Sequence, residues 1–160
     1  MRRSLLFVMS LVVLCACRQG RMVGLVGKCS AGDGQACWDV AMIYDNGDGV
    51  PKDLAKAWPY LEKACRANHL RGCHEAALWL EYGAGVVEDR ARAAEMFGET
   101  CERGYSKACA YAGDLYERGE YLAGGGVPRD LEKAERFYRK GCDAGEAFSC
   151  TSLQHLLRRQ

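Results

Sequence analysis

Cysteine is the residue in this chain whose type and spacing point most directly to chemistry. Cys29 and Cys37, Cys65 and Cys73, Cys101 and Cys109, and Cys142 and Cys150 form pairs, each eight residues apart. The first members of successive pairs are 36, 36 and 41 residues apart. Thiols in such numbers act as metal ligands, redox centres, haem anchors or disulfides. Zinc sites use Cys pairs typically about two to four apart, and no CxxC occurs here. Redox catalysis draws on a low-pKa CxxC and haem attachment on CxxCH, so neither fits. The spacing therefore favours disulfides, although eight cysteines admit 105 pairings and counting does not choose among them. Neither a metal nor a cofactor is expected. The remaining nucleophiles are sparse. Ser30, Ser106, Ser149 and Ser152 lie outside any SxxK or GxSxG pattern, so no catalytic set is expected. Among His69, His74 and His155, the first two lie at the second cysteine pair and read as solvated side chains rather than ligands. Trp38, Trp58 and Trp79 have the faces to stack on a ligand; Trp58, inside a second helix, reads as packing.

The period near 36 signals stacked supersecondary units. Other residues keep the same register. Tyr44, Leu80 and Tyr116 correspond, as do Gly47, Gly83 and Gly119, and Asp53, Asp89 and Asp130. The five extra residues of the third unit fall between Gly119 and Gly126, in a stretch that a loop tolerates. Each unit reads as two helices. The first runs roughly from Gln35 to Asn46, with Val40, Ala41 and Tyr44 on one stripe. A small residue at its middle (Ala41, Ala77 or Gly113) admits a close partner helix. Gly47 and Gly49 end it and make the turn. Asp53 then opens the second helix, since an Asp side chain accepts an otherwise unpaired backbone N–H. That helix buries Ala57, Tyr60, Leu61 and Ala64. Asn68, Gly104, Gly145 and Gly32 mark the ends of second helices, where Gly and Asn tolerate the left-handed conformation. The first cysteine of each pair thus sits in the last turn of one helix, and the second in the first turn of the next.

Composition agrees with an all-helical chain. Of 160 residues, 21 are Ala, one is Ile and two are Thr, so the best helix former is abundant and β-branched residues are scarce. Lys and Arg number 22 against 21 Asp and Glu, for a net charge of +1, and 49% of residues are hydrophobic. That balance excludes a disordered charged tail and leaves no positive excess for nucleic acid. The chain opens with the basic segment Met1 to Arg3 and an apolar run from Ser4 to Ala16. The run is shorter than the roughly 20 residues that span a bilayer and has the length of a signal-peptide core. Leu14-Cys15-Ala16-Cys17 resembles a bacterial lipobox. The resemblance implies cleavage after Ala16 and diacylglycerol on Cys17. Arg18 follows where inner-membrane proteins often carry Asp, which favours the outer membrane over inner-membrane retention. The alternative is a plain secretory signal and a secreted chain. Cleavage removes Cys15, and lipidation of Cys17 leaves an even eight cysteines for an oxidising compartment.

The recurring parts are the Ala/Gly-x-x-Tyr of the first helix, the turn from Gly47 to Asp53 and the Asp-x-x-Lys-Ala opening from Asp53 to Ala57. Together they resemble the Sel1-like repeat family, and within it the cysteine-rich members. The second unit departs, with Leu80 in place of Tyr and Val87 in place of Pro. The resemblance runs from about Cys29 to Leu157. It implies an all-α, right-handed, tetratricopeptide-like solenoid of helix hairpins with a concave binding face. It also implies the bridges Cys29–Cys37, Cys65–Cys73, Cys101–Cys109 and Cys142–Cys150. The organisation read from the register is a signal peptide over 1–16 and a lipidated N-terminus with a degenerate half-repeat over 17–34. Repeats follow over 35–70, 71–106 and 107–146, with a capping helix over 147–160.

Helical spacing places Gln35, Trp38, Met42 and Asp45 on one stripe beside the core stripe. Arg71, His74, Leu78 and Glu81 are their equivalents, then Lys107, Ala110, Asp114 and Glu117. By the resemblance this stripe faces the concave groove, with a base at one end in two units, an apolar middle and an acid at the other end. Such a face suits a peptide or a helix of another protein. The expected function is an exported envelope scaffold, monomeric, touching membrane only through its lipid and binding no nucleic acid. Some cysteine-rich relatives are labelled penicillin-binding or β-lactamase-like, so a cell-wall-directed activity is the alternative.

Overall fold

A computed structural model describes residues 20–119 and 126–159. The leader, Cys17 and the middle of the third-repeat insertion lie outside these residues. The described chain is helical and contains no strand. Helix α1 covers 20–30. It is followed by α2 (Gly34–Asn46), α3 (Leu54–Arg66), α4 (Leu70–Tyr82), α5 (Arg90–Glu102), α6 (Ser106–Arg118), α7 (Leu131–Asp143) and α8 (Ala147–Leu157). No helix among them is long and apolar enough to cross a membrane. The chain divides into two compact units, one ending at His69 and the other beginning at Leu70. In the first, α2 packs on α3; in the second, α4 to α8 pack on their successive neighbours.

The same local chemistry builds each hairpin. Asp53, Asp89 and Asp130 cap α3, α5 and α7, each accepting from a backbone N–H three residues on at 2.9 Å. The backbone N–H of each Asp also donates to the preceding helix, at Tyr44, Leu80 and Tyr116, over 2.9, 2.8 and 2.9 Å. The third loop closes with this same bond despite its five extra residues, so the insertion leaves the closing contact in place. Gly47 ends α2 at φ 75°, and its N–H returns to the Ile43 carbonyl. Asn68, Gly104 and Gly145 all have positive φ at the tight turns between hairpins, which is why only Gly or Asn stands there.

The core follows from paired sizes across each hairpin. Leu61, Phe97 and Tyr138 are equivalent positions on the second helices and are fully buried. Opposite them in register stand Ala41, Ala77 and Gly113. The largest of the three, Tyr138, faces the smallest: a Cβ on Gly113 would lie 2.6 Å from the Tyr138 ring. One position earlier, Tyr60 stacks on Tyr44 at 6.0 Å and Phe137 on Tyr116 at 5.8 Å. The second repeat holds Leu80 and Met96 at these two places. Tyr44 and Tyr60 are only half-buried, while Ala57, Leu61 and Ala64 are buried outright.

Cysteine pairs close the tight turns. Cys29–Cys37, Cys101–Cys109 and Cys142–Cys150 are bonded, with Cα atoms 4.6, 4.7 and 4.5 Å apart. Cys65 and Cys73 are each disulfide-bonded as well. Two expectations fail at buried positions. His74 is 6% exposed rather than solvated, because rings from α5 and α6 close over it. Glu81 is 3% exposed rather than on a rim, because its carboxylate turns inward to Arg118 of α6.

Candidate peptide-binding groove

Successive first helices leave an open groove of about 600 Å³ in the second unit. Helix α4 lines it with His74, Glu75 and Leu78, and α6 with Lys107, Ala110, Tyr111 and Asp114. Glu146 and Phe148, at the start of α8, complete it. The spacings of three and four residues along α6 are those of one helical face. Two aromatic side chains are offered to solvent there, Tyr111 at 37% and Phe148 at 56% exposure.

His74 forms part of the wall. Its ring lies 5.4 Å from Phe97, 5.2 Å from Tyr105 and 5.0 Å from Tyr111. Burial, then the positive charges of Lys107 and Arg71, hold its pKa down to about 4. The imidazole is therefore neutral at pH 7, and its Nδ1 has no hydrogen-bond partner among the described residues. Asp114 is ion-paired to Arg118 at 2.6 Å, and the same guanidinium reaches Glu81 at 3.4 Å. Burial pushes the Glu81 carboxyl above its usual range, with Arg118 opposing. Arg118 thus ties α6 to α4 behind the groove.

Of the residues the stripe singled out in this unit, His74, Leu78, Lys107, Ala110 and Asp114 come together in the groove. Arg71 is exposed and acts on His74 through its charge. Glu81 is turned away, as described. Glu117 is also engaged elsewhere, accepting from the Tyr138 hydroxyl at 3.0 Å and pairing with Arg159 at 3.0 Å. In the first unit, Gln35 is exposed; its Nε2 donates to Asp39 at 2.8 Å, and its Oε1 lies 3.1 Å from His69 Nε2. Trp38 is half-buried with its ring 5.7 Å from that of His69. Met42 is half-buried, and Asp45 pairs with Lys52 at 3.1 Å. Among the described residues no three His, Cys, Asp or Glu side chains form a metal site.

The stripe missed Glu75, Tyr111, Glu146 and Phe148. Phe148 stands two residues before Cys150, as Lys107 does before Cys109 and Arg71 before Cys73. Extending the register into the capping helix would have found it. Tyr111 lies one turn from Lys107 on a slightly wider face, which the stripe of Lys107, Ala110, Asp114 and Glu117 omits.

Tandem α-hairpins with bonded cysteine pairs at their turns, and in the second unit a groove lined by α4, α6 and the start of α8, define a helical-repeat protein. The Sel1 repeat matches residues 34–69, 70–105 and 106–146, and the chain belongs to that family. No curated protein matches. Three solved structures are similar. The Sel1 repeat protein of Oxalobacter formigenes is 24% identical with a TM-score of 0.72, over 85% of this chain and 54% of its own. The protective antigen c5321 of uropathogenic Escherichia coli, which has an SLR fold, is 28% identical with a TM-score of 0.71, over 81% of this chain and 27% of its own. Cysteine rich protein B of Helicobacter pylori is 23% identical with a TM-score of 0.61, over 87% of this chain and 96% of its own. This chain therefore spans about half of the first relative and about a quarter of the second. These likenesses establish the Sel1-type α-solenoid fold.

Proposed function

We propose that this chain is an exported interaction module that takes a peptide segment of another protein in the groove formed by α4, α6 and α8. The observation that carries the reading is the groove itself. It presents Tyr111 and Phe148 to solvent over an apolar floor of Leu78 and Ala110, with charged groups at its edges. A large exposed aromatic in a cleft is what a partner's apolar side chain desolvates most favourably. The first-unit stripe of Gln35, Trp38, Met42 and Asp45 is proposed as a further contact surface. Export rests on the leader over 1–16, and lipid anchoring on Cys17. The oxidised cysteines support a compartment outside the reducing cytoplasm. The repeat organisation proposed is 35–70, 71–106 and 107–146, with the half-repeat before and the cap after.

The test is capture from an envelope extract with the oxidised protein, comparing wild type with the double variant Tyr111→Ala/Phe148→Ala. Phe148 is exposed, whereas Tyr111 also covers His74 and stacks on Phe97, so the variant should keep its helical spectrum with a lowered melting temperature, and capture is compared well below that temperature. The reading expects a discrete captured protein that the variant loses. Equal capture by both would place the interaction elsewhere.

A further inference from the structure

The cysteine pairs do not share one environment. Cys29, Cys37, Cys101 and Cys109 are all buried, so a thiol in solvent reaches neither sulfur of their bridges. Cys142 and Cys150 are half-buried. Cys73 is buried and disulfide-bonded, and its expected partner Cys65 is half-buried and disulfide-bonded as well. An attacking thiolate therefore meets Cys65 first, and Cys73 is the sulfur that leaves.

The surroundings of that leaving sulfur are also particular to it. Arg103, the C-cap of α5, donates from Nη1 to Cys73 Sγ at 3.2 Å. In the repeat register its equivalents are Ala67 and Ala144, two residues after Cys65 and Cys142, and neither side chain can donate. A guanidinium stays protonated at any pH the fold meets. In the closed bridge it faces a neutral sulfur, a weak acceptor. Once the bond opens it faces a thiolate, and the hydrogen bond becomes charge-assisted and stronger. The contact therefore favours the reduced form over the oxidised one and lowers the Cys73 thiol pKa. A lower pKa also makes Cys73 the faster leaving group.

We propose that the Cys65–Cys73 bridge is a redox site, opened by a dithiol reductant while the other three bridges stay closed, with Arg103 receiving the Cys73 thiolate. One thiolate of the reductant attacks Cys65 Sγ. The new bond joins the reductant to Cys65, the Cys65–Cys73 bond breaks, and its electron pair leaves on Cys73 Sγ beside the guanidinium. The second thiolate of the reductant then displaces Cys65, and the reductant departs as a disulfide. Of the two protons the dithiol loses, one ends on Cys65 and the other passes to solvent while Cys73 stays ionised.

The probe is dithiothreitol, titrated against the folded, oxidised protein. Samples are quenched in acid, unfolded, labelled with N-ethylmaleimide and mapped by peptide. Cys65 and Cys73 should become labelled together at a dithiothreitol concentration about fivefold or more below that for Cys142 and Cys150, with the two buried bridges last. Arg103→Ala should remove that advantage, and Arg103→Lys should keep part of it. A merely structural Arg103 predicts the reverse, since loosening the end of α5 would ease reduction. In Cys65→Ser, the ultraviolet absorbance of the Cys73 thiolate should titrate below the ordinary thiol range, and move back up when Arg103→Ala is added. Cys142 and Cys150 opening first, all bridges opening together, or an unchanged order in Arg103→Ala would overturn the proposal. A map of the oxidised protein that links Cys73 to a cysteine other than Cys65 would overturn it too.

Discussion

His74 shows how one side chain couples the groove to the fold. Its imidazole is kept neutral by burial and by Lys107 and Arg71, with a folded pKa of about 4 against the ordinary 6.5. Between those values the unfolded chain binds more protons than the folded one, so stability falls as pH falls through that window. We expect a loss of about 1 kcal/mol per pH unit from pH 6.5 towards 4, after allowing for residual solvation. Glu81 acts in the opposite sense, since burial raises its pKa and its protonation favours the folded state. The comparison of urea midpoints for wild type and His74→Leu across this range isolates the histidine. Parallel curves for the two proteins would show that His74 titrates normally. Gly113 gives a second residue-scale prediction. Gly113→Ala puts a methyl 2.6 Å from the Tyr138 ring and should cost about 1–3 kcal/mol, read as a lowered melting temperature. The small residue at this position was legible from the repeat register; the burial of His74 was not. Its cover comes from Phe97 on α5, Tyr111 on α6 and Tyr105 in the turn between them, and a stripe drawn on α4 alone contains no trace of them. Glu81 escaped for the same reason, since its partner Arg118 lies 37 residues away.

At the scale of elements, caps and bridges carry the argument. Asp130→Ala removes the side-chain acceptor for the Lys133 N–H and should destabilise by about 1 kcal/mol. The cost should match that of Asp89→Ala, whose geometry is the same. Unequal losses would mean that the third loop, with its insertion, weights its cap differently. Each bridge closes a nine-residue segment, for which chain entropy gives about 2.6 kcal/mol. Cys101→Ala/Cys109→Ala should lower the unfolding free energy by about 2–3 kcal/mol. A change below about 0.5 kcal/mol would mean that the tight turn alone holds α5 and α6 together. Helix positions, caps and turn glycines were readable because each repeats at a fixed offset from a cysteine. The groove residues at the start of α8 were less so, because the cap keeps the cysteine register but loses most of the surrounding motif.

For the whole molecule, fold and family follow from the repeat, while function rests on what the repeat leaves exposed. The stacked first helices hide their small residues and leave Tyr111, Phe148 and Lys107 facing outward in one groove. The acids expected along the same edge are drawn into internal pairs, Glu81 with Arg118 and Glu117 with Arg159. The most direct test is amide chemical-shift mapping of the oxidised, isotope-labelled protein on addition of a peptide from the captured partner. Shifts should centre on residues 74–78, 107–114 and 146–148, with 132–136 of α7, which do not line the groove, unmoved. Shifts centred on 132–136, or spread evenly over the chain, would contradict the groove as the binding site.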